Sequence, residues 1–465
     1  MNLRYAHARL AELTGKHDTT STLRLGGGGP EAAAGSEGFV LLYAPRHAEV
    51  PSAVAIPESG LVLGRDPPPG GLKLPFSSVS RVHAKVIRKG GSIVVEDLES
   101  RNGTFANGRK CGVASLEEGD ELRVGEVVLK LVASSVESYA AFPLAGTVPP
   151  RPTERLRGGY AMEQVRDQVV KAGMGSMSVL AMGETGTGKE LVAAAFHEAT
   201  GRVGKLCAVN CAAIPASLLE SELFGYTKGA FTGADGNRLG LVRSANQGTL
   251  FLNEIGDMPL DSQAKLLRLL ETREVTPLGS HKSEPVDVRV ICATHRDLLS
   301  MVRAETFRAD LYARIAGYVI HLPALRKRKE DIFQLTRLFL EGASGGALVL
   351  RPGFMLGLLA HDWPFNVREL ISTVQRAVTL AEGGALDVAQ LPRELAAQLD
   401  NPAATAARQA PRGHEGAAPT AELLRALLVD HGGNVTAVAR QLQKDRTQIH
   451  RWLKRFGISL EEFRS

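Results

Sequence analysis

No stretch of the chain approaches the roughly 18 to 20 consecutive apolar residues that span a bilayer. Its first residues, MNLRYAHARLAELTGKHD, lack the apolar core and small-residue cleavage site of a secretory signal. These two absences predict a soluble, cytoplasmic protein with no membrane partner. Cysteine is sparse: Cys111, Cys207, Cys211 and Cys292 include no C-x-x-C pair, which argues for reduced core thiols over zinc or disulfides. Overall charge is small as well. A net +5 over 465 residues argues neither for nor against nucleic acid. Its location says more: between residues 436 and 457 six basic residues (Arg440, Lys444, Arg446, Arg451, Lys454, Arg455) face one acid, Asp445. That is the footprint of a surface that meets phosphate backbones.

What is present is ordinary for a soluble globular protein, 44% hydrophobic and 23% charged. At about 150 residues per domain the length suggests roughly three domains. Residues 19–38 and 401–420 are too rich in Gly, Ser, Thr, Ala and Pro to build a core, and a Pro-rich break occupies 148–152. The boundaries drawn from these breaks are a flexible segment 1–38, a block 39–134, a linker 135–157, a block 158–398, a linker 399–419 and a block 420–465. The first block alternates short apolar segments (39–43, 60–63, 83–88, 92–96, 121–124, 127–131) with Gly, Asn and Asp turns, the pattern of an all-β sandwich. The second alternates strands and helices to 325, predicting a parallel sheet, and reads as helical throughout from 326 to 398. The third is short, helical and basic.

Gly183, Glu184, Thr185, Gly186, Thr187, Gly188, Lys189 and Glu190 fit G-x-x-x-x-G-K, directly after a strand at 178–182 and before a helix at 191–199. Glycines let successive backbone N–H groups turn toward one anion, the helix N-terminus adds its dipole, and Lys189 meets the β and γ phosphates. Glu190 stands where the generic loop has a Ser or Thr. Downstream, the apolar strand 248–252 ends in Asn253 and Glu254, the place for a second nucleotide motif in which one carboxylate sits near Mg²⁺ and one orients water. Only Glu254 is acidic.

The six residues Gly229, Ala230, Phe231, Thr232, Gly233 and Ala234 form the signature loop of sigma-54-dependent activators, AAA+ ATPases that remodel the sigma-54 RNA polymerase closed complex, and residues 158–395 resemble that family. The resemblance implies ATP and Mg²⁺ as cofactors, with the metal held by Asn253 and Glu254 through water or nucleotide. It implies that Asn210 restrains Glu254, that Thr294 and His295 end the sensor I strand near the γ-phosphate, that Arg308 and Arg314 are fingers reaching a neighbouring subunit's nucleotide, and that Arg368 is sensor II on the lid. Fingers between subunits imply self-association, by resemblance a hexamer. Asn253 departs from the family's aspartate, Tyr226 and Thr227 from its His-Glu, and Phe365 from a glycine beside sensor II. An amide at 253 brings no negative charge to the metal.

The first block, with Gly64, Arg65, 80–84 (SRVHA), 100–104 (SRNGT), Asn107 and Gly108, resembles a forkhead-associated (FHA) domain, whose loops bind phosphothreonine peptides. Arg65, Ser80 and Arg81 would meet the phosphate and Asn102 the peptide backbone, with His83 a structural hydrogen-bonder. No receiver-like aspartate pocket precedes the ATPase. In the third block, a helix pattern at 433–442, a turn, and a second helix at 446–455 look like the Fis-type helix-turn-helix of these activators. Ile449, Trp452 and Leu453 would pack inward, leaving Arg446, Thr447, Gln448, His450, Arg451 and Lys454 for DNA.

The sequence thus predicts a multidomain chain: an all-β FHA sandwich, an α/β AAA+ P-loop ATPase (158–325) with a helical lid (326–398), and an all-α helix-turn-helix. The predicted partners are sigma-54 RNA polymerase, double-stranded enhancer DNA, a threonine-phosphorylated protein (a Ser/Thr kinase or its substrate) and further copies of the chain. One alternative stays open, a phosphopeptide-dependent DNA-binding adaptor or repressor that binds ATP without productive hydrolysis.

Overall fold

The computed structural model describes residues 36–142, 153, 155–231, 234–344, 348–381, 384–400, 421–431, 433–441, 449, 453 and 458. The first block folds as two antiparallel-rich sheets. One has the order β2-β1-β11-β10-β7-β8 and the other β4-β3-β5-β6-β9. The strands are β1 (Gly38–Tyr43), β2 (Ala53–Ala55), β3 (Leu61–Gly64), β4 (Leu72–Lys73), β5 (Ala84–Lys89), β6 (Ser92–Asp97), β7 (Thr104–Ala106), β8 (Arg109–Cys111), β9 (Val113–Leu116), β10 (Glu121–Val124) and β11 (Val127–Val132). In β3, β5 and β6 buried residues alternate with partly exposed ones, the signature of a half-solvated antiparallel sheet. Strands β1 (GFVLLY) and β11 (VVLKLV) are buried along their whole length. Their second face is covered, so a run that is apolar apart from Lys130 suits the environment.

That cover has two parts. Helix α1 (Val136–Ala140) packs Val136 against Val40 and Val132. It occupies the start of the stretch that composition marked as linker. The other part belongs to the lid, and a single apolar cluster runs from Phe39, Leu41 and Tyr43 into Phe333, Leu335 and Trp363.

The second block is a five-stranded parallel sheet in the order β13-β14-β15-β12-β16, formed by β12 (Val179–Met182), β13 (Leu206–Asn210), β14 (Thr249–Asn253), β15 (Arg289–Thr294) and β16 (Tyr318–His321). Helices α2 (Tyr160–Met174) and α3 (Lys189–Thr200) cover one face, burying Val165, Val169, Val192 and Phe196 with Ile291 and Ile320. Helix α3 starts at Lys189, two residues ahead of the sequence estimate, so the loop's lysine sits in its first turn.

The lid comprises α4 (Glu330–Ser344), α5 (Pro352–Ala360), α6 (Asn366–Thr379) and α7 (Arg393–Asp400) around a fully buried Trp363, whose indole N–H donates to the Leu358 carbonyl at 2.9 Å. It is not helical throughout. Val349–Leu350 and Ala385–Leu386 form a two-stranded parallel pair that closes its base, too short to carry a period in sequence. At the C-terminus, α8 (Ala421–Asp430) and α9 (Val435–Gln441) bury Leu424, Leu428 and Val438 with Ile449 and Leu453. No described helix is long and apolar enough to cross a membrane.

Candidate functional site

The P-loop turns at Gly186 (φ 80°) and Gly188 (φ 107°), both in a region that L side chains disfavour. At Gly186 the reason is also steric: a Cβ there would lie 2.1 Å from the Phe365 carbonyl oxygen of the lid, and Val367 N donates to the Gly186 carbonyl at 3.0 Å. Lys189, 7% exposed, donates to the Gly183 carbonyl at 2.9 Å and lies 3.4 Å from a Glu254 oxygen. Its ammonium is therefore aimed across the mouth of the loop.

The loop is fastened to the lid by three side chains, Arg326, Asn366 and Arg328. Glu184 pairs with Arg326, which donates to Oε2 at 2.7 Å and also to Oε1. The buried Asn366 amide donates to Glu184 Oε2 at 3.1 Å and to the Thr185 carbonyl at 3.0 Å, while its oxygen accepts from Leu325 N at 2.7 Å. The Arg326 hydrogen bond holds the Glu184 carboxyl below the usual carboxylate range. Arg328, 2% exposed, donates to the Thr187 carbonyl at 3.4 Å and pairs with Asp331 at 3.3 Å.

Between these walls lies a cleft of about 530 Å³, within the size range of small-ligand sites. Thr185 to Glu190 line it on one side, with Asn210, Asn253 and Glu254. Leu335, Phe339, Ile371 and Arg368 face them from the lid. A polar end beside an apolar one suits a group with phosphates and a flat heterocycle.

Glu254 sits in left-handed backbone (φ 52°, ψ 51°), past the end of β14. One carboxylate oxygen faces His295 Nδ1 at 2.7 Å and accepts from His295 N at 3.3 Å. Burial alone would raise this carboxyl. The His295 hydrogen bonds and the Lys189 charge outweigh burial and hold it below the ordinary range, so it stays ionised at neutral pH. Asn210 reaches the cleft in register with Asn253, and its oxygen accepts from Ala212 N at 3.0 Å. His295 and Lys189 are the side chains against Glu254. Thr294 is buried at the end of β15, where its hydroxyl accepts from Arg296 N at 3.0 Å.

Asn253 turns its side-chain oxygen to Glu254 N at 3.1 Å. Among the described residues no three His, Cys, Asp or Glu side chains cluster as a metal site. Mg²⁺ would fit here only as nucleotide-bound metals usually do, on phosphate oxygens and water with one or two protein groups, and Asn253 and Glu254 line the cleft where such groups would be needed.

The remaining predicted residues fall elsewhere. Arg308 pairs with Asp310 at 2.7 Å on the surface, and Arg314 donates to the Leu270 carbonyl at 3.0 Å. Neither lines the cleft. Phe231 is 42% exposed at the tip of a hairpin, its ring edge-on to Tyr226 at 5.0 Å. Gly229 N donates to the Ala234 carbonyl at 2.9 Å, closing the loop base; Thr232 and Gly233 lie outside the described residues.

In the sandwich, Arg65, Arg81 and Asn102 are exposed at one end, around Ser80. Ser80 Oγ accepts from Arg101 N at 3.1 Å and Asn102 Nδ2 donates to the Ser78 carbonyl at 2.7 Å. His83 is fully buried beneath them. Its Nδ1 accepts from Ser80 N at 3.1 Å, so its Nε2–H faces the Gly103 carbonyl at 3.3 Å, and burial lowers its pKa. Arg446, Thr447, Gln448, His450, Arg451 and Lys454, with Trp452, lie outside the described residues.

Three family models match this chain: the sigma-54 interaction domain over residues 157–321, the AAA+ ATPase lid domain over 326–408, and the FHA domain over 61–125. It is 41% identical over 321 residues to the anaerobic nitric oxide reductase transcription regulator NorR of Enterobacter sp. (strain 638), covering 66% of this chain and 63% of that one. Against the regulatory protein AtoC of Escherichia coli (strain K12) it is 41% identical over 313 residues, 65% of this chain and 68% of that one. Its span is thus just under two thirds of the first relative. A crystal structure of NtrX from Brucella abortus aligns with TM-score 0.48 and 31% identity, covering 66% of this chain and 70% of that one. On the sequence matches, the chain belongs to the family of sigma-54-dependent transcription regulators, built on an AAA+ ATPase and here carrying an FHA domain.

Proposed function

We propose that this protein binds upstream DNA, assembles into a ring, and uses ATP hydrolysis to remodel the sigma-54 RNA polymerase closed complex under control of a phosphothreonine ligand. The observation that carries this reading is the cleft itself, which Lys189, an ionised Glu254 and the lid's Arg368 all line. Glu254, held by His295, would accept a proton from an attacking water. Lys189 and the loop's N–H groups are placed to hold the phosphates. Mg²⁺, when bound with the nucleotide, would neutralise charge on the phosphate oxygens. Arg308 and Arg314, outside their own cleft, suit insertion into a neighbour's, where a permanent planar charge matches phosphate oxygens. Phe231, exposed on a narrow hairpin, suits contact with the polymerase. Arg65, Ser80, Arg81 and Asn102 share one end of the sandwich, where a phosphate dianion would draw charge-assisted hydrogen bonds. The basic C-terminal segment suits double-stranded DNA.

A second reading, a DNA-binding adaptor that holds ATP without turning it over, is favoured by Asn253 alone, whose amide oxygen is engaged by Glu254 N and brings no charge. Open-complex formation at a sigma-54 promoter with wild type, Asn253→Asp and Thr232→Ala separates the two. The activator reading expects open complexes with wild type and their loss with Thr232→Ala. Magnesium-dependent phosphate release absent from concentrated, ligand-supplied wild type, together with no open complex, would leave the adaptor.

A further inference from the structure

We propose that the FHA domain is a latch on the ATPase: its β10–β11 hairpin docks on the start of lid helix α4, restrains the lid, and is released when the loops at the hairpin's other end take a phosphorylated peptide. This rests on the phosphothreonine and nucleotide assignments above.

The hairpin has two working ends. At the docked end Glu121 and Lys130 are direct cross-strand partners. Glu121 pairs with Lys329 and Lys130 with Glu330, two ion pairs of opposite polarity made to adjacent lid residues. Lys130, Lys329 and Glu330 are 7%, 7% and 5% exposed, so salt screens them little and loss of one partner strands a buried charge. Beside them the Tyr43 and His47 rings pack on Phe333 at 5.8 and 4.8 Å. At the other end, the turn residue Glu126 accepts from Ser78 Oγ at 3.2 Å, and the Ser78 carbonyl accepts from Asn102. Ser78 is thus one hydrogen bond from a peptide-facing side chain and two residues from Ser80.

The lid segment receiving the hairpin also faces the nucleotide cleft. Arg328 reaches the Thr187 carbonyl, and the Asp331 carboxylate accepts from Gly159 N at 2.6 Å, at the entrance to α2. Tyr139 of α1 packs on Tyr160 of α2, ring centroids 4.8 Å apart. The FHA block with the α1 segment that follows it therefore grips both the lid and the α/β subdomain, and hinge movement between them would have to break one grip. By linkage, peptide and nucleotide would then bias the same equilibrium.

The test is a charge exchange in the full chain. The Glu121→Lys/Lys130→Glu variant keeps opposite charges across the hairpin but opposes Lys329 with lysine and Glu330 with glutamate. Adding Lys329→Glu/Glu330→Lys restores the pairing. Hydrogen exchange in β10 and the first turns of α4 should rise in the double variant and return in the quadruple. ATP turnover should rise at least about fivefold in the double and fall back in the quadruple. A degenerate phosphothreonine-centred peptide pool, but not its unphosphorylated counterpart, should raise the same exchange in wild type. Unchanged exchange in the double variant overturns the docking. Raised exchange with unchanged turnover overturns the restraint. A pool that binds without raising exchange overturns the release. Wild type that binds neither nucleotide nor peptide sinks the functional reading itself, while exchange in the variants still judges the docking.

Discussion

Removing the Asn366 side chain should cost about 3 kcal/mol and loosen the P-loop from the lid. The side chain is fully buried and makes three hydrogen bonds: from Leu325 N at 2.7 Å, to the Thr185 carbonyl at 3.0 Å and to Glu184 Oε2 at 3.1 Å. The two neutral bonds contribute about 1 kcal/mol each by the usual scale. The third, to a carboxylate whose side chain is 42% exposed, is discounted for solvent to about the same value. Asn366 also holds φ at 52°, where asparagine is tolerated and a Cβ without a local hydrogen bond costs roughly 1 kcal/mol more. Asn366→Ala should therefore be more harmful than Asn366→Gly, which loses the same bonds without that strain. The chain has two tryptophans, Trp363 and Trp452. In a Trp452→Phe background the buried Trp363, whose carbonyl accepts from Asn366 N at 2.8 Å, reports lid unfolding in guanidinium by fluorescence. A loss under about 1 kcal/mol with unchanged affinity for a fluorescent ATP analogue would refute the claim that Asn366 joins loop to lid.

Asn253→Asp should lower the Mg²⁺ concentration that half-saturates turnover by about 10- to 100-fold, the usual weight of a group bonded to a metal's ligands; unchanged Mg²⁺ dependence would show that position 253 does not face the ion. Arg308→Ala and Arg314→Ala should each lower ring turnover by about 10³-fold or more while leaving each subunit's nucleotide affinity intact, because neither lines its own cleft; weakened binding in isolated subunits would contradict action in trans. His83 carries a pH prediction. Burial lowers its folded pKa beneath the unfolded value, so its contribution is fully present above about pH 6.5 and is lost as pH falls through the window toward the lowered value. Protonating Nδ1 would also eject Ser80 N, so intrinsic-rate-corrected exchange of the Ser80 amide should quicken on acidification in wild type and not in His83→Gln.

The parts of the site that a short segment encodes were legible in the sequence. A strand, a glycine turn and a helix in that order aim their amides toward one point, and the Phe231 hairpin closes on a local bond from Gly229 N to the Ala234 carbonyl, although its base also bonds Leu278. Residues joined through the sheet were not. Glu254 and His295 are 41 positions apart and meet because β14 and β15 are parallel neighbours with Asn253 beside Ala293. Strands β1 and β11 show an intermediate case. Their largely apolar runs signal burial on both faces, and Lys130, which breaks the run in β11, signals a specific partner, but Glu330, 200 positions away, carries no mark that identifies it.

The lid segment 325–331 explains why control and catalysis can share so little machinery. Leu325 N binds Asn366, Arg326 binds Glu184, Arg328 reaches Thr187, Lys329 and Glu330 hold the FHA hairpin, and Asp331 holds Gly159. Adjacent residues thus face the P-loop and the sandwich, with only Arg328 and Lys329 between a 3-10 turn at Leu325–Lys327 and the start of α4 at Glu330. A rotation of this segment that carries Arg328 away from Thr187 must also carry Lys329 away from Glu121, because one backbone step separates them. Coupling through so short a lever needs no chain of small displacements across the domain. It also means that substitutions within the segment share partners and should not combine additively, whereas one at Glu121 or Lys130, on the FHA side, perturbs the latch while leaving every group that lines the cleft in place.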